Sequence, residues 1–271
     1  MERKRLMSIQ TIDNKVLNEI SQGYKNLSSK DIVVCVACRD VGNQIYPLLH
    51  TIEKLKTLCG NLAVVFFEND SIDNTVGLLT DWCERNTYGE LISETLNFAK
   101  FGSTRDRQRV ENLAVVRNRL LGVVKEKYNT YDYVMMVDAD LQPIPIDNIA
   151  HTFNYTDWDA ISANGLWKIH GHTIYYDIWA LVEEGAKLHY RSVHRPFKPH
   201  TGLIKVNGGF GGLVFYRICP EFLKCHYYIV DFEGPQHPDN KFSVEHTGLH
   251  FDMLKYGLDK IYINTSMVVL R

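Results

Sequence analysis

From residue 31 onward the apolar positions fall into two alternating periods. The unbroken run Ile32-Val33-Val34-Cys35-Val36-Ala37 is short and β-branched, so it predicts a buried strand. Ile45, Leu48, Leu49, Ile52 and Leu55 then recur at three- and four-residue spacing, which predicts a helix with one buried face. A second strand, Leu62 to Phe67, ends in Glu68-Asn69-Asp70-Ser71-Ile72-Asp73. The next helix is expected to start near Asp73, whose side chain can cap free N–H groups, and to bury Val76, Leu79 and Cys83. A weaker strand covers Leu91 to Leu96. A long helix, about 109 to 127, presents Val110, Leu113, Ala114, Leu120, Leu121 and Val124 on one face. Tyr133-Val134-Met135-Met136-Val137 predicts a further strand, running straight into Asp138-Ala139-Asp140.

This alternation predicts an open α/β sheet with helices on both faces, which binds ligands outside the carboxyl ends of its strands. Cys38-Arg39-Asp40, Glu68-Asn69-Asp70 and Asp138-Ala139-Asp140 are all such ends and should gather along one rim. After residue 145 the alternation fades. The second half is richer in aromatics and histidine: Trp158, Trp167, Tyr175, Tyr176, Trp179, His189, Tyr190 and His194. It also carries Asn207-Gly208-Gly209-Phe210-Gly211-Gly212 before a strand, Leu213 to Tyr216, and a helix starting near Glu245. Residues 1–30, with Val16, Leu17 and Ile20 at helical spacing, read as an N-terminal extension. A single domain, 31–271, with halves 31–145 and 146–271, accounts for the rest.

A chain of 271 residues that is 45% hydrophobic can bury a proper core. Its formal charge of −2 argues against a polyanion binder as a whole, although Arg105, Arg107 and Arg109 form a local basic patch. Residues 1–20 lack an apolar core of signal-peptide length, and no stretch approaches the roughly 20 apolar residues that span a bilayer. A soluble cytoplasmic protein is expected. Cys35-x-x-Cys38 lies within a strand, where an odd separation points the thiols to opposite faces, and no second Cys/His pair follows at zinc spacing. Buried thiols in a reducing compartment are expected.

Two carboxylates one residue apart at the end of a buried strand suit a divalent cation and the phosphates it neutralises; a solvated turn is the other reading of Asp138 and Asp140. Arg117 falls on the apolar face of its helix, where its guanidinium must find an anion, either a bound diphosphate or an internal Asp or Glu. His246 and His250, four apart, share a helix face and read either as metal ligands or as satisfied core residues. Glu245 and Asp252 are candidate general bases. Gly208, Gly209, Gly211 and Gly212 allow close backbone approach to a ligand, or a tight connection, but lack the spacing of a phosphate-binding loop. Trp167, Tyr175, Tyr176 and Trp179, with His170 and Asp177 nearby, suit either a core or a sugar face.

Taken together, the residues resemble a GT-A glycosyltransferase, in the order Val36-Ala37-Cys38-Arg39-Asp40, Phe67-Glu68-Asn69-Asp70-Ser71-Ile72-Asp73-Asn74-Thr75, Arg117-Asn118 and Val137-Asp138-Ala139-Asp140. The resemblance extends through Asn207 to Gly212 and Glu245-His246, and so covers most of 31–265. The nearest pattern is that of the capsule-type mannosyltransferase-like group. The resemblance implies a UDP- or GDP-sugar donor and a Mn2+ or Mg2+ ion on its diphosphate. It further implies that Ala37, Arg39 and Glu68 or Asp70 line base and ribose, that Arg117 meets the phosphates, and that Asp138 lies near ribose and metal. Asp140 would ligate the metal, with His246 or His250 completing the set. Trp167, Asp177, Gly208 and Gly209 would face sugar or acceptor. An inverting enzyme of this kind would use Glu245 as base, but Glu245-His246 stands where Glu-Asp is usual, so inversion and retention both stay open.

The implied reaction moves a sugar to the hydroxyl of a glycan or glycoconjugate; a hydroxylated DNA base is less favoured by the near-neutral charge. A sugar-1-phosphate nucleotidyltransferase would need a glycine-rich basic loop after the first strand, which Cys38-Arg39-Asp40-Val41-Gly42 is not. A non-catalytic glycan-binding module has no need for Asp138, Asp140 and Arg117 together.

Overall fold

In the computed structural model the apolar run becomes β1 (Ile32–Cys38), followed by a short 3-10 turn and α2 (Tyr46–Lys56), with α1 (Asn14–Leu27) ahead of both. Next come β2 (Leu62–Asn69), α3 (Thr75–Arg85), β3 (Gly89–Glu94), α4 (Arg107–Lys127) and β4 (Tyr133–Asp138). The structure describes residues 14–102, 104–185, 195–231 and 242–271. His189, Tyr190, His194 and residues 1–13 of the N-terminal stretch lie outside the described residues. The second half, where the pattern faded, is largely strand. It comprises α5 (Ile146–Thr152), β5 (Ala160–Ile169), β6 (His172–Tyr175), β7 (Val182–Glu183), β8 (Leu203–Gly208), β9 (Leu213–Arg217), α6 (Glu245–Lys255) and β10 (Ile261–Leu270).

The strands form one sheet in the order β3-β2-β1-β4-β9-β5-β10-β8-β7, with β6 paired to β5. The first four are parallel, and their register sets Cys38 beside Glu68 and Ala37 beside Asp138. The three expected strand ends therefore share one rim. β9 then runs antiparallel between β4 and β5, and β10 lies parallel to β5 and antiparallel to β8. One apolar cluster packs α4 and α6 on one face, and a second packs α1, α2, α3 and α5 on the other. Cys35 belongs to the first cluster and Cys38 to the second, as strand alternation requires, and both thiols are free.

The first half departs from expectation in α3. This helix begins at Thr75, after Asn74, and the Asp73 carboxylate accepts from the Thr75 N–H at 2.9 Å. The Thr75 hydroxyl in turn accepts from the N–H groups of Val41 and Gly42. That tie turns Leu79 and Trp82 inward, leaving Val76 36% exposed and Cys83 half-buried. At the other end of the chain α1 packs against α5: a Cβ on Gly23 would fall 1.9 Å from the Ala150 carbonyl oxygen, so the two helices cross in close contact. Leu27 is fully buried, and the Asn26 amide donates to the Phe153 carbonyl. Among the described residues, no helix is long and apolar enough to cross a membrane.

Candidate active site

Asp138 closes β4, and its N–H donates to the Gly212 carbonyl at 2.9 Å, which fastens the glycine cluster to the strand end. Behind it Arg117, only 6% exposed, projects from α4. Its Nη2 lies 3.2 Å from Asp138 Oδ1, its Nη1 contacts Glu245 Oε1, and its Cζ sits 5.0 Å from the Phe210 ring. The charge of the buried guanidinium is thus met inside the protein by two carboxylates, although its Nε is buried without a hydrogen-bond partner. Burial pushes the Asp138 carboxyl up to about 6; Arg117 opposes the rise and the neighbouring Asp140 adds to it. Asp140 is more open. Its Oδ2 accepts from Arg271 Nη2 at 2.9 Å, and the Arg271 guanidinium lies 5.8 Å from the centre of the Tyr176 ring.

These groups face a cavity of about 690 Å3 along the rim. Ala37, Arg39 and Asn69 line one side together with the segment Phe98 to Phe101. Arg39 donates to the Phe98 and Ala99 carbonyls at 2.8 and 3.2 Å, so its guanidinium holds that segment in place. Asp70 does the same from behind. In a left-handed conformation (φ 56°), it accepts from the N–H groups of Leu96, Asn97 and Phe98 at 2.9, 2.8 and 3.0 Å. Burial alone would raise its pKa; the bonds from Asn69 and those three N–H groups outweigh burial and hold it below the ordinary value. Glu68, 2% exposed, accepts from the Ser71 N–H at 2.7 Å and the Ser93 hydroxyl at 2.5 Å. Neither Glu68 nor Asp70 lines the cavity. Ala37 and Arg39, expected to touch base and ribose, do line it; Glu68 and Asp70 brace the wall instead, their oxygens occupied by backbone N–H groups and the Ser93 hydroxyl.

The opposite side carries Trp167, Tyr176, Asp177, Trp179 and Phe210. Gly212 (φ 84°) makes room for Tyr176, whose hydroxyl would lie 2.1 Å from a Cβ there. The Gly211 N–H donates to Asp177 at 2.9 Å; burial nevertheless raises the pKa of this carboxyl, against the pull of that bond and of Arg117. Trp167, 41% exposed, stands at the mouth. Gly208 and Gly209 lie beneath the cavity without lining it: the Gly209 carbonyl accepts from the Ser162 hydroxyl, and Gly208 backs onto His250.

Helix α6 divides its candidates by distance from the rim. Glu245 and His246, in its first turn, line the cavity. His246 stacks on Phe210 at 3.9 Å, and its Nε2 is buried without a hydrogen-bond partner. His250, one turn further, is fully buried, with neither ring nitrogen bonded, and burial drives its pKa down to about 4. Asp252 lies about 10 Å along the axis from Glu245 and pairs with His226 Nδ1 at 2.7 Å. His250 and Asp252 do not line the cavity.

Among the described residues no three His, Cys, Asp or Glu side chains form a group able to hold a metal ion. Asp138 and Asp140 nevertheless fit a hard divalent cation, since such ions take one or two carboxylates and complete their shell with phosphate oxygens and water. Two carboxylates close enough that one raises the pKa of the other are the charge arrangement that such a cation relieves.

Further cavity residues carried little or no warning in the sequence. Arg109 lines the cavity half-buried and, among the described residues, no carboxylate pairs with its guanidinium; burial and the nearby Arg117 lower its pKa. Arg109 belongs to the basic patch of residues 105–109, and its spacing from Arg117, two helical turns, was a further signal. Lys100 and Phe101 follow a loop with no motif, and Arg271 is 131 residues from the carboxylate it contacts.

No protein-family model matches the sequence, and no curated protein is significantly similar to it. Solved structures do resemble it. The mannosyltransferase PcManGT from Pyrobaculum calidifontis, in complex with GDP-Man and Mn2+, matches with a TM-score of 0.51 at 14% identity, over 94% of this chain and 64% of its own. S. aureus TarS 1-349 matches with a TM-score of 0.51 at 14% identity, over 89% of this chain and 60% of its own. GalNAc-T7 with UDP, GalNAc and Mn2+ matches with a TM-score of 0.52 at 10% identity, over 90% of this chain and 44% of its own. The chain thus spans less than two thirds of the length of each. What this likeness establishes is the fold: a mixed, open α/β sheet of the GT-A type across most of the chain.

Proposed function

We propose that this protein is a metal-dependent glycosyltransferase that moves a sugar from a nucleotide-diphosphate sugar to an acceptor hydroxyl. The observation that carries the proposal is the pair Asp138 and Asp140, set at the end of β4 in front of buried Arg117 and opening on a cavity of about 690 Å3. A cavity of that size suits a nucleotide-sugar. The complexes of the solved relatives with GDP-Man or UDP and Mn2+ support the same class of donor and metal. The Glu68-Asn69-Asp70-Ser71 and Glu245-His246 segments keep the capsule-type mannosyltransferase-like group as the working assignment.

In this reading, residues 31–145 form the donor half and 146–271 the acceptor half. Asp138 and Asp140 would hold Mn2+ or Mg2+, which offsets charge on the departing diphosphate when bound. Ala37 and the segment Phe98 to Phe101, fixed by Arg39 and Asp70, form the side that receives the nucleoside of a UDP- or GDP-sugar. Arg117 orients Asp138 and Glu245 by holding both. Arg109, which has no carboxylate partner among the described residues, offers its fork to phosphate oxygens. Asp177 and Glu245 are the carboxylates on the acceptor side. Glu245 is committed to Arg117, whereas burial raises the proton affinity of Asp177. We therefore assign to Asp177 the removal of the acceptor's proton. Trp167 at the mouth offers an aromatic face to the acceptor, a glycan or glycoconjugate.

A panel of UDP- and GDP-sugars, incubated with the protein and Mn2+ and followed by release of nucleoside diphosphate, tests the proposal. Release that Asp140→Ala abolishes is the expected result. Undiminished release in that variant contradicts the role given to Asp140. Formation of pyrophosphate from a nucleoside triphosphate and a sugar 1-phosphate would point to nucleotidyl transfer instead.

A further inference from the structure

The two cavity arginines that meet the strand-end carboxylates are held very differently. Arg117 is locked: its side chain is 7% exposed, and it bridges Asp138 and a Glu245 that is 3% exposed. Arg271 is not. Its side chain and that of Asp140 are 35% and 31% exposed, they share one contact at 2.9 Å, and the guanidinium rests against the flat face of Tyr176. An ion pair this open is weakly held, and an aromatic face supports a guanidinium over a range of positions.

The contact also falls on the carboxylate that a divalent cation would need. A guanidinium and a divalent cation on the same oxygens repel, so the arrival of one weakens the hold of the other. Arg271 lines the cavity, where Asp138 and Glu245 are already engaged by Arg117 and Asp177 by the Gly211 N–H; once released from Asp140, it can turn to an uncommitted anion that has bound there. The diphosphate of the donor is such an anion.

We infer that Arg271 is an exchangeable counter-ion, neutralising Asp140 until a divalent cation binds there and then turning to the diphosphate of the nucleotide donor. The inference rests on the metal-dependent reading above. It makes Arg271 a positioning residue that couples metal binding to nucleotide binding. Such coupling is reciprocal: metal at Asp140, by releasing Arg271, strengthens nucleotide binding by the same factor as bound nucleotide strengthens metal binding.

The test uses the full chain and measures binding rather than turnover. Mn2+ is titrated without nucleotide and the free ion followed by electron paramagnetic resonance, for the unaltered protein and for Arg271→Gln, Arg271→Lys and Asp140→Asn. UDP and GDP are then titrated at saturating Mn2+. Arg271→Gln is expected to bind Mn2+ at least about fivefold more tightly and the nucleoside diphosphate at least about fivefold more weakly. Arg271→Lys, which keeps the charge, is expected to lie near the unaltered protein in both titrations. If Asp140→Asn abolishes Mn2+ binding while Arg271→Gln leaves it unchanged or weaker, the exchange is overturned and the metal site stands. If the unaltered protein binds no Mn2+, with or without nucleotide, both readings fall.

Discussion

At the ends of β1 and β2, the carboxylates of Asp40, Glu68 and Asp70 receive backbone N–H groups; at the end of β4, those of Asp138 and Asp140 face guanidinium groups. All five stand at strand ends along one rim. A carboxylate bound to backbone donors is fixed by the fold and in turn fixes a loop. One bound only to an open side chain, as Asp140 is to Arg271, can exchange that partner for a ligand. The proposed metal site therefore falls where the backbone leaves strand-end carboxylates free, and the neighbouring strand ends build the wall around it.

The largest expected effect that tests this division is at Asp140. Asp140→Ala should lower donor hydrolysis at least about a hundredfold. Its melting temperature should move by less than about 4 °C, because an exposed ion pair contributes little. A variant that unfolds would place Asp140 with the structural set. Asp70→Ala should do the converse. Three N–H groups lose their acceptor, which costs about 2–3 kcal/mol in a denaturant titration. Unchanged stability with lost activity would move Asp70 into the chemical set.

A smaller effect concerns pH. The Asp138 pKa of about 6 in the folded protein exceeds the roughly 3.9 of an unfolded chain. Protonation therefore favours the fold. The contribution of Asp138 to stability is complete below the unfolded value and is lost as pH rises through about 6. The melting temperature of Asp138→Asn, relative to the unaltered protein, should accordingly rise between about pH 4 and about pH 8. A difference that does not change with pH breaks this assignment. The smallest effect belongs to Lys100, whose side chain is 60% exposed where it meets Asp40. Lys100→Ala should cost less than about 1 kcal/mol by thermal melting; a larger loss would show that the segment Phe98 to Phe101 depends on that pair as well as on Asp70.

The first half was legible because its strands are continuous apolar runs paired with near neighbours in sequence. The second half was not, because it buries polar residues in its strands. Ser162 and Asn164 in β5 are fully buried, bonded to the Gly209 carbonyl and to the Phe197 and Thr265 carbonyls. Gly165 is packed so closely that a Cβ would meet Tyr176 and the Gly211 backbone. In β10, Asn264, Thr265 and Ser266 are buried at an irregularity in the pairing. Such residues read as loop until their partners, far away in sequence, are known. The same holds in the site. Asp138, Asp140 and Arg117 stood out because charge ended or interrupted an apolar pattern. Glu68 and Asp70 looked equivalent to them, since nothing local shows that N–H groups from Ser71 and from the segment around residue 97 will occupy their oxygens.

The place of β10 in the sheet bears on how the molecule assembles. β1, β2, β3 and β4 pair with one another and can do so as they are synthesised. β5 can dock on β9. Among the described strands, β8 and β7, although they come earlier in the chain, join the sheet only through β10. They must wait for it, and such long-range pairings are slow to form. Arg271 follows directly on β10, so the counter-ion of Asp140 arrives with the strand that completes the sheet. Until that moment the rim holds a carboxylate corner without its full complement of positive charge. The maturation of the site and the closure of the sheet are then one event.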